Sequence, residues 1–163
     1  MTISEAACFA HSLGNRQRLS YLLVSEDEAL ECIYRHSSLG LISNGELGLT
    51  PAEQAPPAYI LICCDNADSK FNFADAGAAF QNMALSALEL KLALFWIHAF
   101  SNQAIKRELQ LEHDILAVIA LGQPAENPVA IHIDKNEASD YINLDNKHTR
   151  TPKFKPSSLI SFL

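Results

Sequence analysis

Phe73-Ala-Asp-Ala-Gly-Ala-Ala-Phe-Gln-Asn-Met-Ala-Leu-Ser-Ala-Leu-Glu-Leu-Lys-Leu-Ala-Leu94 carries one glycine and no proline, and its only charges are Asp75, Glu89 and Lys91. Ala74, Ala76, Ala78, Ala79, Ala84, Ala87 and Ala93 keep it narrow, so it reads as a helix that is apolar nearly all round. A helix without a solvated face is buried, by its own domain or by a partner. It is expected to be the core helix.

Just before it, Ala58-Tyr-Ile-Leu-Ile-Cys-Cys64 is an uninterrupted apolar run of strand length, the pattern of a central strand covered on both faces. Ile115-Leu-Ala-Val-Ile-Ala-Leu121 is a second, stopped by Gly122 and Pro124. Towards the N-terminus, Leu19-Ser-Tyr-Leu-Leu-Val24 reads as a strand, and the acidic Ser25-Glu-Asp-Glu28 opens a helix to about His36. A short helix on Ile3, Ala6, Ala7 and Ala10, with Ser4 as candidate cap, ends before Gly14. Residues 37–57 hold Gly40, Gly45, Gly48, Pro51, Pro56 and Pro57 and read as a long surface loop. Beyond the core helix, Phe95-Trp-Ile-His-Ala-Phe100 is a strand or tight turn, and residues 102–109 are a helix capped by Ser101. Tyr141-Ile-Asn-Leu144 is a short strand, and from Lys147 a tail runs to the apolar end Leu159-Ile-Ser-Phe-Leu163. Strands alternating with helices predict an α/β or α+β sandwich with one mixed sheet, a single domain over residues 1–163.

The 163 residues are 48% hydrophobic and 19% charged, which excludes disordered and collagen-like classes. The net charge of −7 argues against a nucleic-acid partner or an anionic membrane surface. No basic segment precedes an apolar one at Met1, and charges break the apolar stretches, so a soluble, cytoplasmic protein is expected. Cys8, Cys32, Cys63 and Cys64 lack CxxC spacing and read as small buried hydrophobes in a reducing compartment, with a vicinal redox disulfide as the alternative. The six histidines form no HxH or HxxxH pair, and no GxSxG, HExxH, Walker A or GxGxxG motif occurs, so no metal site is expected.

Two polar patches remain. His11-Ser-Leu-Gly-Asn-Arg-Gln-Arg18 packs amide, hydroxyl and guanidinium donors around one glycine, able to hold a phosphate or a polar heteroaromatic edge, or to serve as an ordinary turn. Lys147-His-Thr-Arg-Thr-Pro-Lys-Phe-Lys155 holds four of the twelve cationic residues and no carboxylate; the rest of the chain, eight cations against nineteen carboxylates, stands at −11. That island is either a phosphate anchor or a solvated tail.

In chain order, Gly14-Asn-Arg-Gln17, Tyr21-Leu-Leu-Val24, Pro57-Ala-Tyr-Ile60, Asp75-x-Gly77-Ala-Ala-x-Gln81-Asn-Met-x-Leu85, Phe95-Trp-Ile97 and Ala120-Leu-Gly-x-Pro124-Ala-Glu126 resemble the FMN-dependent nitroreductase family. The resemblance implies an α+β fold with a central mixed or antiparallel sheet flanked by helices. It also implies an intertwined homodimer with FMN at the subunit interface, and hydride transfer from NADH or NADPH to a small-molecule acceptor such as a nitroaromatic or a quinone. It places Ser12, Gly14, Asn15, Arg16 and Gln17 in the flavin pocket, matching the family's Pro-Ser-x-x-Asn-x-Gln-Pro turn, and makes Lys153 the candidate for the FMN phosphate. The helix from Phe73 becomes the dimer-core helix.

The chain departs from the family pattern in three places. The opening Arg-Arg-Ser-x-Arg segment is not among these residues, so a domain without the usual N-terminal arm is expected, with Arg16 and Lys153 as partial replacements. His11 and Arg18 stand where the prolines flanking the turn are expected. The family's Leu-Gly-Leu-Gly-x-x-Trp-x-Gly reads Leu90-Lys-Leu-Ala-Leu-Phe-Trp-Ile-His98, with Lys91, Ala93 and His98 in place of glycine. These substitutions leave open a second reading, a non-catalytic dimer of the same fold that has lost FMN or binds another small ligand.

Overall fold

The two apolar runs become neighbouring central strands. The computed structural model describes residues 2–38, 42–43, 46–47, 55–124, 128–140, 142–145 and 148–161. They form two compact units, Met1–Gln123 and Pro124–Leu163. In the first, β1 (Ser20–Val24), β5 (Ala58–Cys64), β8 (Asp114–Gly122) and β6 (Ala93–Ile97) form a sheet in the order β1-β5-β8-β6. Every pairing in it is antiparallel.

Side chains alternate across a strand, and both faces here are covered. Ile60, Ile62 and Cys64 pack with Ala76, Ala79 and Met83 on one face, while Tyr59, Leu61 and Cys63 pack with Ile33 and Ile105 on the other. Cys63 and Cys64 therefore point to opposite faces, and both are free thiols. Where β8 pairs with β5 the register shifts, and Leu116 and Ala117 both join the first cluster, the signature of a bulge.

The first face belongs to α1 (Ile3–Cys8) and α3 (Lys70–Glu89), the second to α2 (Asp27–Arg35) and α4 (Asn102–Glu108). A central sheet between helices is the α+β arrangement expected, with antiparallel rather than mixed pairing in its four strands. Ser101 caps α4 as anticipated, its hydroxyl accepting from Ala104 N–H. For α1 the cap is Thr2 and not Ser4: the Thr2 hydroxyl accepts from Glu5 N–H while Glu5 accepts from Thr2 N–H, a reciprocal capping box. The expected loop at 37–57 contains three two-residue strands, β2 (Ser37–Ser38), β3 (Ile42–Ser43) and β4 (Glu46–Leu47); β2 pairs with β7 (Ala99–Phe100) and β3 with β4. The rest of that segment before Ala55 lies outside the described residues.

The core helix begins three residues earlier and ends five residues sooner than its composition suggests. Lys91 adopts φ +59, Leu92 N–H reaches Ala87 O at 2.9 Å and Lys91 N–H reaches Leu88 O at 3.0 Å, the paired bonds of a Schellman stop. Glycine normally occupies that left-handed position; a lysine there is strained by about 1 kcal/mol. Lys91→Gly is expected to raise stability by about 1 kcal/mol and Tm by about 2–4 °C in a thermal melt, and an unchanged or lower Tm contradicts this.

Only one side of α3 is buried within the chain. Asn72, Asp75, Ala76, Ala79, Met83, Ser86 and Ala87 face inward, whereas Phe73, Gly77, Gln81, Leu85 and Leu88 lie on the exposed side. Among the described residues no helix is long and apolar enough to cross a membrane.

Burial also sets an alkaline limit. It pushes the Cys63 thiol up to about 11, with Cys64 adding to the shift and Lys106 opposing it, and the Tyr21 and Tyr59 hydroxyls up to about 12. Their neutral forms are favoured in the folded chain, so the stability they contribute is complete below pH 9 and is lost as pH rises through 9 to 12. Chemical denaturation at pH 8 and pH 10.5 is expected to give a lower midpoint at the higher pH, with Cys63→Ala flattening the dependence; a pH-independent midpoint contradicts this.

In the second unit, β11 (His148–Phe154) lies between β10 (Ile142–Asp145), antiparallel, and β9 (Val129–Ile133), parallel. The basic segment is therefore largely strand and not a free tail. Pro152 lies past the residues that pair with β10, where its missing N–H leaves that ladder intact. Lys155 is neutralised by Asp134 at 2.8 Å, and Leu159 and Ile160 are exposed.

Candidate functional site

The turn from Ser12 to Arg18 joins α1 to β1 by an unusual backbone path. Gly14, Asn15 and Gln17 all have positive φ, at +63, +53 and +46. Only glycine adopts that region freely and asparagine tolerates it, so Gln17 is the strained member. Left-handed residues outside glycine are costly and persist where the surroundings over-determine them.

The surroundings here are specific. Ser12 O accepts from Asn15 N–H at 3.0 Å, the Ser12 hydroxyl accepts from Gln17 N–H at 3.2 Å, and the Gln17 side-chain amide donates to Asn15 O at 3.4 Å. Leu13 N–H donates to Asp75 Oδ1 at 3.1 Å, a long-range bond that ties the turn to the core helix. Asp75 lies on the inward face of α3 and is 6% exposed. A side chain added at Gly14 would meet only Arg16, at 3.8 Å, so the glycine serves the backbone conformation and not a close approach.

Beside the turn is a cavity of about 170 Å³ lined by residues of α1, the turn, β1 and α3, among them Cys8, His11, Ser12, Gln17, Arg18, Tyr21 and Asp75. Among the described residues, Arg18 Nη1 and Asp75 Oδ2 are buried without a hydrogen-bond partner. An unmatched donor and an unmatched acceptor border one small space, where each unmade bond carries a desolvation cost. Burial, followed by Cys8 and Asp75, holds the Tyr21 hydroxyl protonated far above neutral pH, so it remains a donor.

Five of the six candidate residues, Ser12, Gly14, Asn15, Arg16 and Gln17, share this turn, with Arg16 exposed. Lys153 belongs to the second unit, exposed on β11 in register with His132 of β9. Sequence reasoning missed Asp75 and Tyr21 as site residues, while Arg18 entered only as the end of the polar patch from His11. The available signal was Asp75 itself, a lone carboxylate deep in an otherwise apolar helix.

The nitroreductase family profile matches residues 1–123, the whole of the first unit. No curated protein matches the chain significantly. Among solved structures, a putative nitroreductase in complex with FMN from Desulfovibrio desulfuricans is 28% identical, with a TM-score of 0.59 over 76% of this chain and 72% of that one. A nitroreductase family protein from Clostridium novyi NT is 21% identical, with a TM-score of 0.60 over 75% and 70% of the two chains. An FMN-dependent nitroreductase from Clostridium difficile R20291 is 22% identical, with a TM-score of 0.58 over 77% and 74%. The last two speak to the fold, while the profile spans sheet, turn and core helix together. By that match the chain belongs to the nitroreductase family.

Proposed function

We propose that the chain is a cytoplasmic, homodimeric oxidoreductase that uses FMN to pass hydride from NADH or NADPH to nitroaromatic or quinone-type acceptors. The carrying observation is the strained turn locked to Asp75 beside a cavity with an unmatched donor and an unmatched acceptor, within the segment that matches the family. That donor set fits a ligand edge bearing both an acceptor and an N–H, as a flavin ring does, better than a phosphate dianion, which Asp75 repels. FMN, when bound, supplies the electron relay between the two substrates.

The protein's own residues then have separable tasks. Asp75 fixes the turn through Leu13, and Gly14, Asn15 and Gln17 give the turn its shape. Arg18 and Tyr21 supply donors at the cavity, and Arg16 is an exposed cation on the same turn; Lys153, exposed in the second unit, stays the candidate that the family resemblance names for a cofactor phosphate. A volume of about 170 Å³ is well below the ~300–1,000 Å³ of a pocket that engulfs a drug-sized ligand. One chain thus offers part of a flavin site, which supports a site completed by a second copy.

The outward side of α3 supports the same reading. Phe73, Leu85 and Leu88 are 49%, 56% and 70% exposed, and Gly77 between them has nothing within 4 Å of the position of a Cβ. A glycine in a helix interior costs about 1 kcal/mol, and among the described residues no neighbour needs the space. Close packing against another helix gives it a purpose.

Reconstitution with excess FMN tests the proposal directly: quenching of flavin fluorescence on binding and turnover of NADH or NADPH with a quinone are expected, and absence of both removes it. The reading as a non-catalytic dimer is favoured by one observation, the stacking of His98 on Trp96 at 5.7 Å, which places a ring where the family has glycine. Stoichiometric flavin in the protein as isolated eliminates that alternative.

A further inference from the structure

On the opposite face of the sheet from the turn and its cavity, three potential ligands of different chemistry meet. Cys32 and His36 are four residues apart at the end of α2, which brings them onto one side of the helix. Glu108 ends α4. One ligating atom from each, the Cys32 sulfur, a His36 ring nitrogen and a Glu108 carboxylate oxygen, lies within 4.8 Å of the others. His36 Nε2 and Glu108 Oε1 are 2.7 Å apart.

We propose that Cys32, His36 and Glu108 form a three-residue site for a thiophilic divalent cation of the Zn2+ class, with the fourth position open to water. Zinc bonds of ~2.3 Å to sulfur and ~2.0–2.2 Å to nitrogen or oxygen, arranged tetrahedrally, separate the ligand atoms by roughly 3.3–3.8 Å. His36 Nε2 and Glu108 Oε1, now 2.7 Å apart, have to separate to reach that spacing, and the sulfur already lies within 4.8 Å of both. A sulfur, an imidazole and one carboxylate select against Mg2+ and Ca2+, which take oxygen ligands.

The surroundings hold the ligands for this role. Arg35 Nη2 binds Glu108 Oε2 at 3.1 Å, which fixes the carboxylate and leaves Oε1 for the metal. His36 O accepts from Ser101 N–H at 2.8 Å, tying the end of α2 to the start of α4. Cys32 is 3% exposed, whereas the His36 and Glu108 side chains are 24% and 33% exposed, so the ion has an entry path on one side. On binding, the Cys32 thiol proton goes to solvent and the thiolate forms the S–metal bond. The proton that His36 Nε2 shares with Glu108 Oε1 leaves that nitrogen, to solvent or to Nδ1, so that the Nε2 lone pair and Oε1 both turn to the metal, and no electron changes hands.

Cobalt(II) titration of the intact reduced protein tests the site without reference to flavin or activity. One Co2+ per chain is expected to give a sulfur-to-cobalt charge-transfer band together with the visible bands of a tetrahedral ion, both displaced by Zn2+. Cys32→Ser should abolish the charge-transfer band, Cys8→Ser should keep it, and Glu108→Gln should weaken binding at least about tenfold. Glu108 sits at the helix surface, so Glu108→Gln keeps the test decisive if Cys32→Ser fails to fold. Three results overturn the proposal: folded wild-type protein without the charge-transfer band at millimolar Co2+, the band surviving in Cys32→Ser, or Glu108→Gln binding as tightly as wild type.

Discussion

Leu85→Glu combined with Leu88→Glu is expected to turn the proposed homodimer into a folded monomer. Both side chains are more than half exposed in the single chain, and glutamate is a good helix former, so each replacement costs the protomer no more than about 0.5 kcal/mol. At an apolar interface the same carboxylates lose their water without gaining partners. The dimer carries four of them, so even at roughly 1 kcal/mol each, with every 1.4 kcal/mol worth a factor of ten, association weakens by about a thousandfold or more. Sedimentation at micromolar concentration should show a wild-type dimer and a monomeric variant with an unchanged circular dichroism spectrum. A wild-type monomer, or a variant that remains dimeric, removes α3 from the interface.

That helix also marks where sequence stops being sufficient. Its apolar surface was read correctly from composition, but its end was not, because the stop uses Lys91 at φ +59 instead of a glycine. α4 ends the same way, with Gln110 at φ +54 and Leu111 N–H reaching back to Lys106 O. Local chemistry signals neither stop; the chain beyond, pulled into β6 and into β8, imposes the reversal. The central strands were legible for the opposite reason. Burial on both faces leaves an uninterrupted apolar run, and Ala58–Cys64 matches its prediction residue for residue. The basic segment reads from sequence as a phosphate anchor or a solvated tail and not as a strand, because its pairing with β9 is not local.

The site divides along the same line. The turn announced itself through Gly14 and the amides around it, since those residue types supply left-handed backbone and local hydrogen bonds. Asp75 did not, because its partner Leu13 is 62 residues away in sequence and a single carboxylate on a helix ordinarily faces water. Cys32 and His36 stand 76 and 72 residues from Glu108, and no spacing rule spans that distance. What folding adds is the juxtaposition of residues whose individual chemistry was already visible.

Asp75 carries the second large effect. Its Oδ1 holds Leu13 N–H at 3.1 Å, and that bond tethers α3 to a turn whose other hydrogen bonds, among Ser12, Asn15 and Gln17, are internal to it. Asp75→Ala removes a hydrogen bond to a charged acceptor, worth about 1.5–3 kcal/mol, so a loss of about 2 kcal/mol and a Tm lower by about 4–8 °C are expected. The turn then relaxes, Arg18 and Tyr21 lose their fixed placement around the cavity, and FMN affinity should fall at least about tenfold. Asp75→Asn separates the two contributions. Its amide oxygen still accepts from Leu13, so most of the stability should return, and FMN affinity should return with it where the turn's shape governs binding. Where the carboxylate's charge governs binding instead, the asparagine variant is stable but binds FMN as weakly as the alanine variant. Melting curves paired with flavin titrations of both variants read this out. Alanine at 75 with unchanged melting and unchanged FMN affinity would show that neither the tether nor the cavity beside it serves the cofactor.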